Sequence, residues 1–169
     1  MDGGHAALIK DLAAAVGARL VAAGLRVTVA ESCTGGLLAA ALTAIPGSSA
    51  WFEAGFVTYT PRAKHILLGV PWAHLDEALI VSAPTAIAMA HGAHERGGAE
   101  VAVGVTGYAG PTGGTPACPV GTVAIGWVTA RGEQSQVCHF SGDREAVRAQ
   151  AVAAALAGLK DRLDQDFPR

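Results

Sequence analysis

The sequence predicts an α/β fold, a three-layer α/β/α arrangement around a mixed, mostly parallel sheet. Segments with helical spacing alternate with short β-branched runs along the chain, the pattern of helices packed on both faces of a sheet. Near the C-terminus two strand-like runs, Gly121 to Ala130 and Gln134 to Phe140, are joined by Arg131-Gly132. That hairpin adds an antiparallel element. No internal repeat or long polar linker divides the 169 residues, so residues 1–169 are expected to form a single domain.

Each element has a local reason. Leu8, Leu12, Ala15, Val16 and Leu20 share one face of a helix over Ala6 to Ala23, ended at Gly24. Leu25 to Ala30 is a continuous apolar run, suited to a buried strand. It enters the turn Glu31 to Gly36, and an apolar helix follows to about Ala44. Pro46 to Ser49 is a turn and Phe52 to Thr58 a strand. Thr60-Pro61 pairs an N-cap with proline at the first helical position, opening a helix through Leu68. Ser82 or Ala83 before Pro84 repeats that signal for a helix over Thr85 to Arg96, stopped by Gly97-Gly98. Glu100 to Thr106 is another apolar strand, Gly107 to Pro119 a loop, and Asp143 to about Leu163 the last helix, capped by Ser141 or Asp143.

Composition narrows the function classes. Hydrophobic residues make up 51% and charged residues 15%, which excludes a disordered chain. A net charge of -2 gives no electrostatic drive toward nucleic acid or an acidic membrane. Leu37 to Ile45, the most apolar stretch, is far shorter than the ~20 residues that span a bilayer. Three scattered cysteines, Cys33, Cys118 and Cys138, suggest reduced thiols rather than a disulfide framework. Met1 to His5 lacks the basic-then-apolar pattern of a signal peptide. The expectation is a cytoplasmic protein; its apolar content permits a homo-oligomer.

Three loops follow predicted strands, where ligands bind in open α/β sheets. In the first, Glu31-Ser32-Cys33-Thr34-Gly35-Gly36, backbone N–H groups at a helix start attract anions or a developing oxyanion. The alternative is an ordinary strand-to-helix turn capped by Ser32 or Thr34. Glu31 beside the turn needs donors if buried. The second, Pro46 to Lys64, holds Ser48, Ser49, Tyr59 and Lys64. Lysine is a general base only when neutral, and bringing its pKa from ~10.4 to ~7 takes roughly 4–5 kcal/mol of desolvation and charge effects. A solvated lysine and turn-forming serines are the alternative.

The third loop, Thr106 to Pro116, carries Gly107, Gly110, Gly113 and Gly114 but matches neither a phosphate-binding P-loop nor the dinucleotide fingerprint. Its backbone can line a nucleotide pocket or simply connect a hairpin. Arg144 opens the last helix, placed to clamp a phosphate or to pair with a neighbouring acid. His91 and His94 are a weak metal signal without a third ligand, so no metal and no cofactor is expected. Cys33 is either a buried inert thiol or, at a helix start, a nucleophile.

Taken in order, Ala30-Glu31-Ser32-Cys33-Thr34-Gly35-Gly36, Pro46-Gly47-Ser48-Ser49-Ala50-Trp51-Phe52, Val57-Thr58-Tyr59 with Ala63-Lys64, Leu68-Gly69-Val70, Val105 to Pro111, Gly113 to Pro116, Pro119 to Val123 and Gly142-Asp143-Arg144 resemble the CinA C-terminal domain family over essentially the whole chain. These are competence/damage-inducible proteins whose members include nicotinamide mononucleotide deamidases. The resemblance implies hydrolysis of nicotinamide mononucleotide to nicotinate mononucleotide and ammonia by a metal-free serine–lysine mechanism. It implies Ser49 and Lys64 as the dyad, with Ser32 as a second serine and the alternative nucleophile. Tyr59, Thr106 and Arg144 are implied as pocket residues, and Glu31, Thr34, Gly35, Gly36, Gly107, Gly110 and Gly113 are expected to contact substrate. Ala117-Cys118 and Ala83 replace charged residues usual in relatives. The rival expectations are a non-catalytic nucleotide-binding module and a thiol hydrolase using Cys33.

Overall fold

The computed structural model describes residues 3–168. Five strands, β1 (Val27–Glu31), β2 (Phe52–Val57), β3 (Val101–Gly107), β4 (Thr122–Thr129) and β5 (Gly132–His139), form one sheet in the order β2-β1-β3-β4-β5. The sheet is mixed, as expected, but not mostly parallel, since two of its four strand pairings are parallel and two antiparallel. β1 pairs in parallel with β2 and β3, whereas β4 runs antiparallel to both β3 and β5. The parallel half therefore presents the C-terminal ends of β1, β2 and β3 along one edge.

Helices α1 (Gly3–Ala23), α2 (Leu37–Thr43) and α5 (Arg144–Asp166) cover one face, and α3 (Pro61–Leu68) and α4 (Ala83–Gly97) the other. The first core joins Val16, Leu20, Leu38, Leu156 and Leu159 to Val29, Val103 and Ile125 of the sheet. The second joins Met89, Ala90 and Ala93 of α4 to Ala30, Ala102 and Val128. β4 is buried along its whole length, while β5 is an almost wholly exposed edge.

The expected boundaries hold closely. Ser82 and Asp143 cap α4 and α5 by accepting the Thr85 and Ala146 N–H groups. The turn joining β4 to β5 lies one residue earlier than expected, at Ala130 and Arg131. The turn expected at Pro46 to Ser49 ends in a short 3₁₀ turn at Ser48–Ala50, whereas the 3₁₀ turn at Trp72–His74 had no periodic signal and was not anticipated.

α4 lies unusually close to the sheet because glycines face it. A Cβ at Gly104 would overlap the Ala86 carbonyl oxygen, and one at Gly126 would meet the same peptide group at 2.7 Å. Backbone on backbone leaves no flexible atom to yield. Gly104→Ala is therefore expected to destabilise the domain by about 3 kcal/mol. The check is a urea midpoint; an unchanged midpoint would show that α4 is free to shift.

Candidate active site

β1 is flanked by β2 and β3, so the residue that follows it lies in the middle of the sheet's C-terminal edge. That residue is Ser32, whose N–H continues the ladder to the Val105 carbonyl at 3.0 Å. The turn beyond it is shaped by Gly35 and Gly36, both with positive φ (58° and 97°), a conformation that favours glycine. Glu31 anchors this turn. Its fully buried carboxylate accepts N–H groups of Gly36 and Leu38 through Oε2, both at 3.0 Å, and of Ala39 through Oε1 at 2.8 Å. Three donors at the start of α2 are what make a buried carboxylate tolerable there.

The chain leaves β2 through Thr58, caps α3 with the Thr60 hydroxyl (3.1 Å from the Ala63 N–H) and places Lys64 one turn in. Lys64 is 0% exposed. Its Nζ donates to Ser32 Oγ and to the Thr58 carbonyl, both at 2.8 Å. Burial lowers its pKa from 10.5 to about 8, with the Cys33 thiol pulling slightly the other way. Loss of water destabilises the ammonium form, and no carboxylate replaces the lost hydration. Burial pushes the neighbouring Cys33 thiol up to about 11, against the opposing charge of Lys64.

These groups line a cavity of about 290 Å³ that also meets Thr106, Gly107, Tyr108, Gly110 and Arg144. At its mouth Arg144 donates through Nη1 to the Gly110 carbonyl (2.8 Å) and through Nη2 to the Tyr59 hydroxyl (2.7 Å), so α5 clasps two loops together. Thr106 is buried and donates to the Ile80 carbonyl at 2.8 Å, fixing the segment that supplies Ile80 and Val81 to the wall.

The geometry brings together Ser32, Lys64, Tyr59, Thr106, Gly107, Gly110 and Arg144. The expected pairing of Ser49 with Lys64 is corrected. Ser49 lies in the 3₁₀ turn before β2, where its carbonyl accepts from Arg26 at 3.5 Å. Arg26 precedes β1 and Ser32 follows it, so Ser49 sits at the opposite edge of the sheet, roughly 17 Å away at ~3.3 Å per strand residue. Of the other expected contacts, Glu31 is engaged as described, Gly36 N–H is held by Glu31 and Gly35 N–H by the Ser32 carbonyl at 3.0 Å, and these three residues do not line the cavity. Thr34 and Gly113 do not line the cavity. Thr34 is buried behind the turn, and its carbonyl accepts from Arg148 at 3.0 Å. His91 pairs with Glu133 at 2.6 Å and His94 with the Ala99 carbonyl, so the two do not converge.

Four residues escaped the sequence reading. Thr58 acts through its carbonyl, which has no sequence signature. Ile80 and Val81 come from irregular chain before α4. Arg148 could have been found, since it stands one helical turn after Arg144.

Fold and site define a class: an α/β/α domain with a buried serine–lysine pair at the C-terminal edge of its sheet and no helix, among the described residues, long and apolar enough to cross a membrane. Comparison makes this specific. The sequence model of the CinA C-terminal domain matches residues 9–163, and the chain belongs to that family. It is 50% identical over 151 residues to nicotinamide-nucleotide amidohydrolase PncC of Pseudomonas putida, covering 89% of this chain and 94% of the relative. The Escherichia coli K12 protein of the same name is 50% identical over 153 residues, covering 89% and 92%. A CinA superfamily crystal structure from Klebsiella pneumoniae superposes with a TM-score of 0.88 at 40% identity, covering 93% of this chain and 98% of that one. The competence/damage-inducible protein CihA of Agrobacterium tumefaciens gives 0.89 at 43% identity, covering 94% and 96%.

The lysine's burial has a thermodynamic signature. Between pH 8 and 10.5 the unfolded chain holds a proton on Lys64 that the folded chain has released, so the lysine's contribution to stability rises with pH across that window. Relative to Lys64→Met, the wild-type chain is expected to gain about 3 kcal/mol from the bottom to the top of the window. Denaturant titrations at several pH values measure this; parallel curves for the two proteins would contradict it.

Proposed function

We propose that this chain is a nicotinamide-nucleotide amidohydrolase, hydrolysing the carboxamide of nicotinamide mononucleotide to nicotinate mononucleotide and ammonia, with Ser32 as nucleophile and Lys64 as its base. The observation that carries the reading is the 2.8 Å contact between Ser32 Oγ and a fully buried lysine. The 50% identity to curated nicotinamide-nucleotide amidohydrolases over most of both chains supports the substrate class. A cytoplasmic location, expected from the sequence, belongs to the same reading.

The chemistry follows from the proton on Lys64. With a pKa of about 8, about a tenth of the lysine is neutral at pH 7. In that form one N–H donates to the Thr58 carbonyl, which turns the lone pair toward Ser32. The serine O–H then donates to Nζ, reversing the direction of the contact in the ammonium form. As Ser32 Oγ bonds to the carboxamide carbon, its proton passes to Lys64. The backbone of Gly107–Gly110 faces the same cavity and is the candidate stabiliser of the oxyanion. Collapse breaks the C–N bond, and the Lys64 proton leaves with ammonia. A water then gives a proton to Lys64 and attacks the acyl-enzyme. Ser32 regains that proton as the acid product is expelled, and the acid gives its remaining proton to solvent as it leaves as the carboxylate.

The rivals are less well supported. A thiol near pKa 11 is almost wholly protonated at neutral pH, which disfavours Cys33 as nucleophile. A binding module has no need to bury a lysine whose hydrogen bonds go to a serine hydroxyl and a peptide carbonyl, a placement that lowers stability.

Purified Ser32→Ala and Lys64→Ala proteins are expected to release ammonia from nicotinamide mononucleotide at least about 10³-fold more slowly than wild type. Ser49→Ala should remain within about threefold. Full turnover by Ser32→Ala would reject the nucleophile. For the wild-type enzyme, kcat/KM is expected to rise about tenfold per pH unit below pH 8 and to level off above it. A flat profile from pH 6 to 9 would reject Lys64 as the base.

A further inference from the structure

The nucleotide reading leaves one requirement open. The substrate carries a phosphate, yet Lys64 works as a base only without its charge. Arg144 is then the one standing cation among the residues that line the Ser32 cavity. Arg144 also lines a second cavity of about 460 Å³, whose remaining lining is Leu37, Asp143, Glu145, Arg148 and Ala149. Arg144 is thus common to the two linings.

Arg148 ties the second cavity to the nucleophile. Its Nη2 donates to the Thr34 carbonyl at 3.0 Å, two residues beyond Ser32. The same nitrogen lies 3.2 Å from where a Cβ on Gly35 would stand, so the glycine makes room for it. Its Nε is buried and has no hydrogen-bond partner among the described residues. Phosphate oxygens suit an arginine fork. Of the two acids in the lining, Asp143 has already engaged one carboxylate oxygen with the Ala146 N–H at 2.9 Å.

We propose that the cavity between Arg144 and Arg148 is the subsite for the phosphate of the nucleotide substrate, with Arg148 linking that phosphate to the turn that carries Ser32. This rests on the amidohydrolase reading. It adds that discrimination between nucleotide and nucleoside resides in Arg148, a residue outside the reacting centre. Phosphate binding then secures the Thr34 carbonyl through the same guanidinium, so remote binding energy acts on the nucleophile's position.

The experiment compares ammonia release from nicotinamide mononucleotide and from nicotinamide riboside by wild type, Arg148→Ala and Leu37→Glu. The second variant places a carboxylate in the cavity at the first position of α2, where an acid suits the helix, and leaves Arg148 intact. The proposal expects wild type to favour the nucleotide by about 10²-fold or more in kcat/KM, and each variant to cut that preference at least about tenfold. Ribose 5-phosphate, titrated calorimetrically into wild type and both variants, should bind wild type at least about tenfold more tightly. Equal losses on both substrates, or undiminished ribose 5-phosphate binding in the variants, would overturn the subsite. Should wild type release no ammonia from either substrate, the amidohydrolase reading fails while the calorimetric comparison still decides the subsite. An Arg148→Ala protein that does not fold leaves Leu37→Glu to decide it.

Discussion

A lysine that the fold keeps out of water is the constraint around which the rest of the site is arranged. Lys64 has no carboxylate partner among the described residues. It is held by a serine hydroxyl and one peptide carbonyl. An ammonium in that setting is costly, and the protein answers by making the free amine accessible near neutral pH. The features nearby serve this arrangement. The Thr60-Pro61 start of α3 fixes where Lys64 stands, the order β2-β1-β3 brings Ser32 to the middle of the edge, and Glu31 ties the serine's turn to α2.

The site is assembled from distant chain segments, each held by polar contacts to its neighbours. Arg144 bridges the loop after β3 and the loop after β2, Thr106 holds the segment before α4, and Arg148 holds the turn after β1. Most of these contacts end on backbone carbonyls, so the partner's side chain is free to vary while its position is not. α5 contributes both arginines from its first two turns. It carries the outer wall of the Ser32 cavity on a rigid element packed along α1 and the sheet.

Much of this was legible in the sequence because the elements are locally consistent. The Ser82-Ala83-Pro84 and Thr60-Pro61 signals mark helix starts through their caps, and the β-branched runs mark buried strands. The choice between Ser49 and Ser32 needed tertiary reasoning. Ser49 is closer to Lys64 along the chain, but two parallel strands joined by a crossover helix place the turn before the second at the edge opposite the turn after the first. With β1 and β2 parallel, Ser49 is carried away from Lys64. Glu31 read as a ligand contact because one sequence shows a carboxylate and not the three N–H groups that occupy it. Arg148 went unread because a charged residue on a helix is ordinarily solvated, and only the packed turn gives its guanidinium a carbonyl to hold.

The central claim is the protonation state of one amine, and it can be observed directly. Lysine labelled with ¹³C at Cε, with Lys64→Met protein to assign the Lys64 resonance by its disappearance, gives an NMR titration of that side chain alone in the folded protein. The account predicts a midpoint at about 8. A midpoint at the ordinary lysine value of ~10.4 would mean that Lys64 keeps its charge at neutral pH, and it would contradict the account.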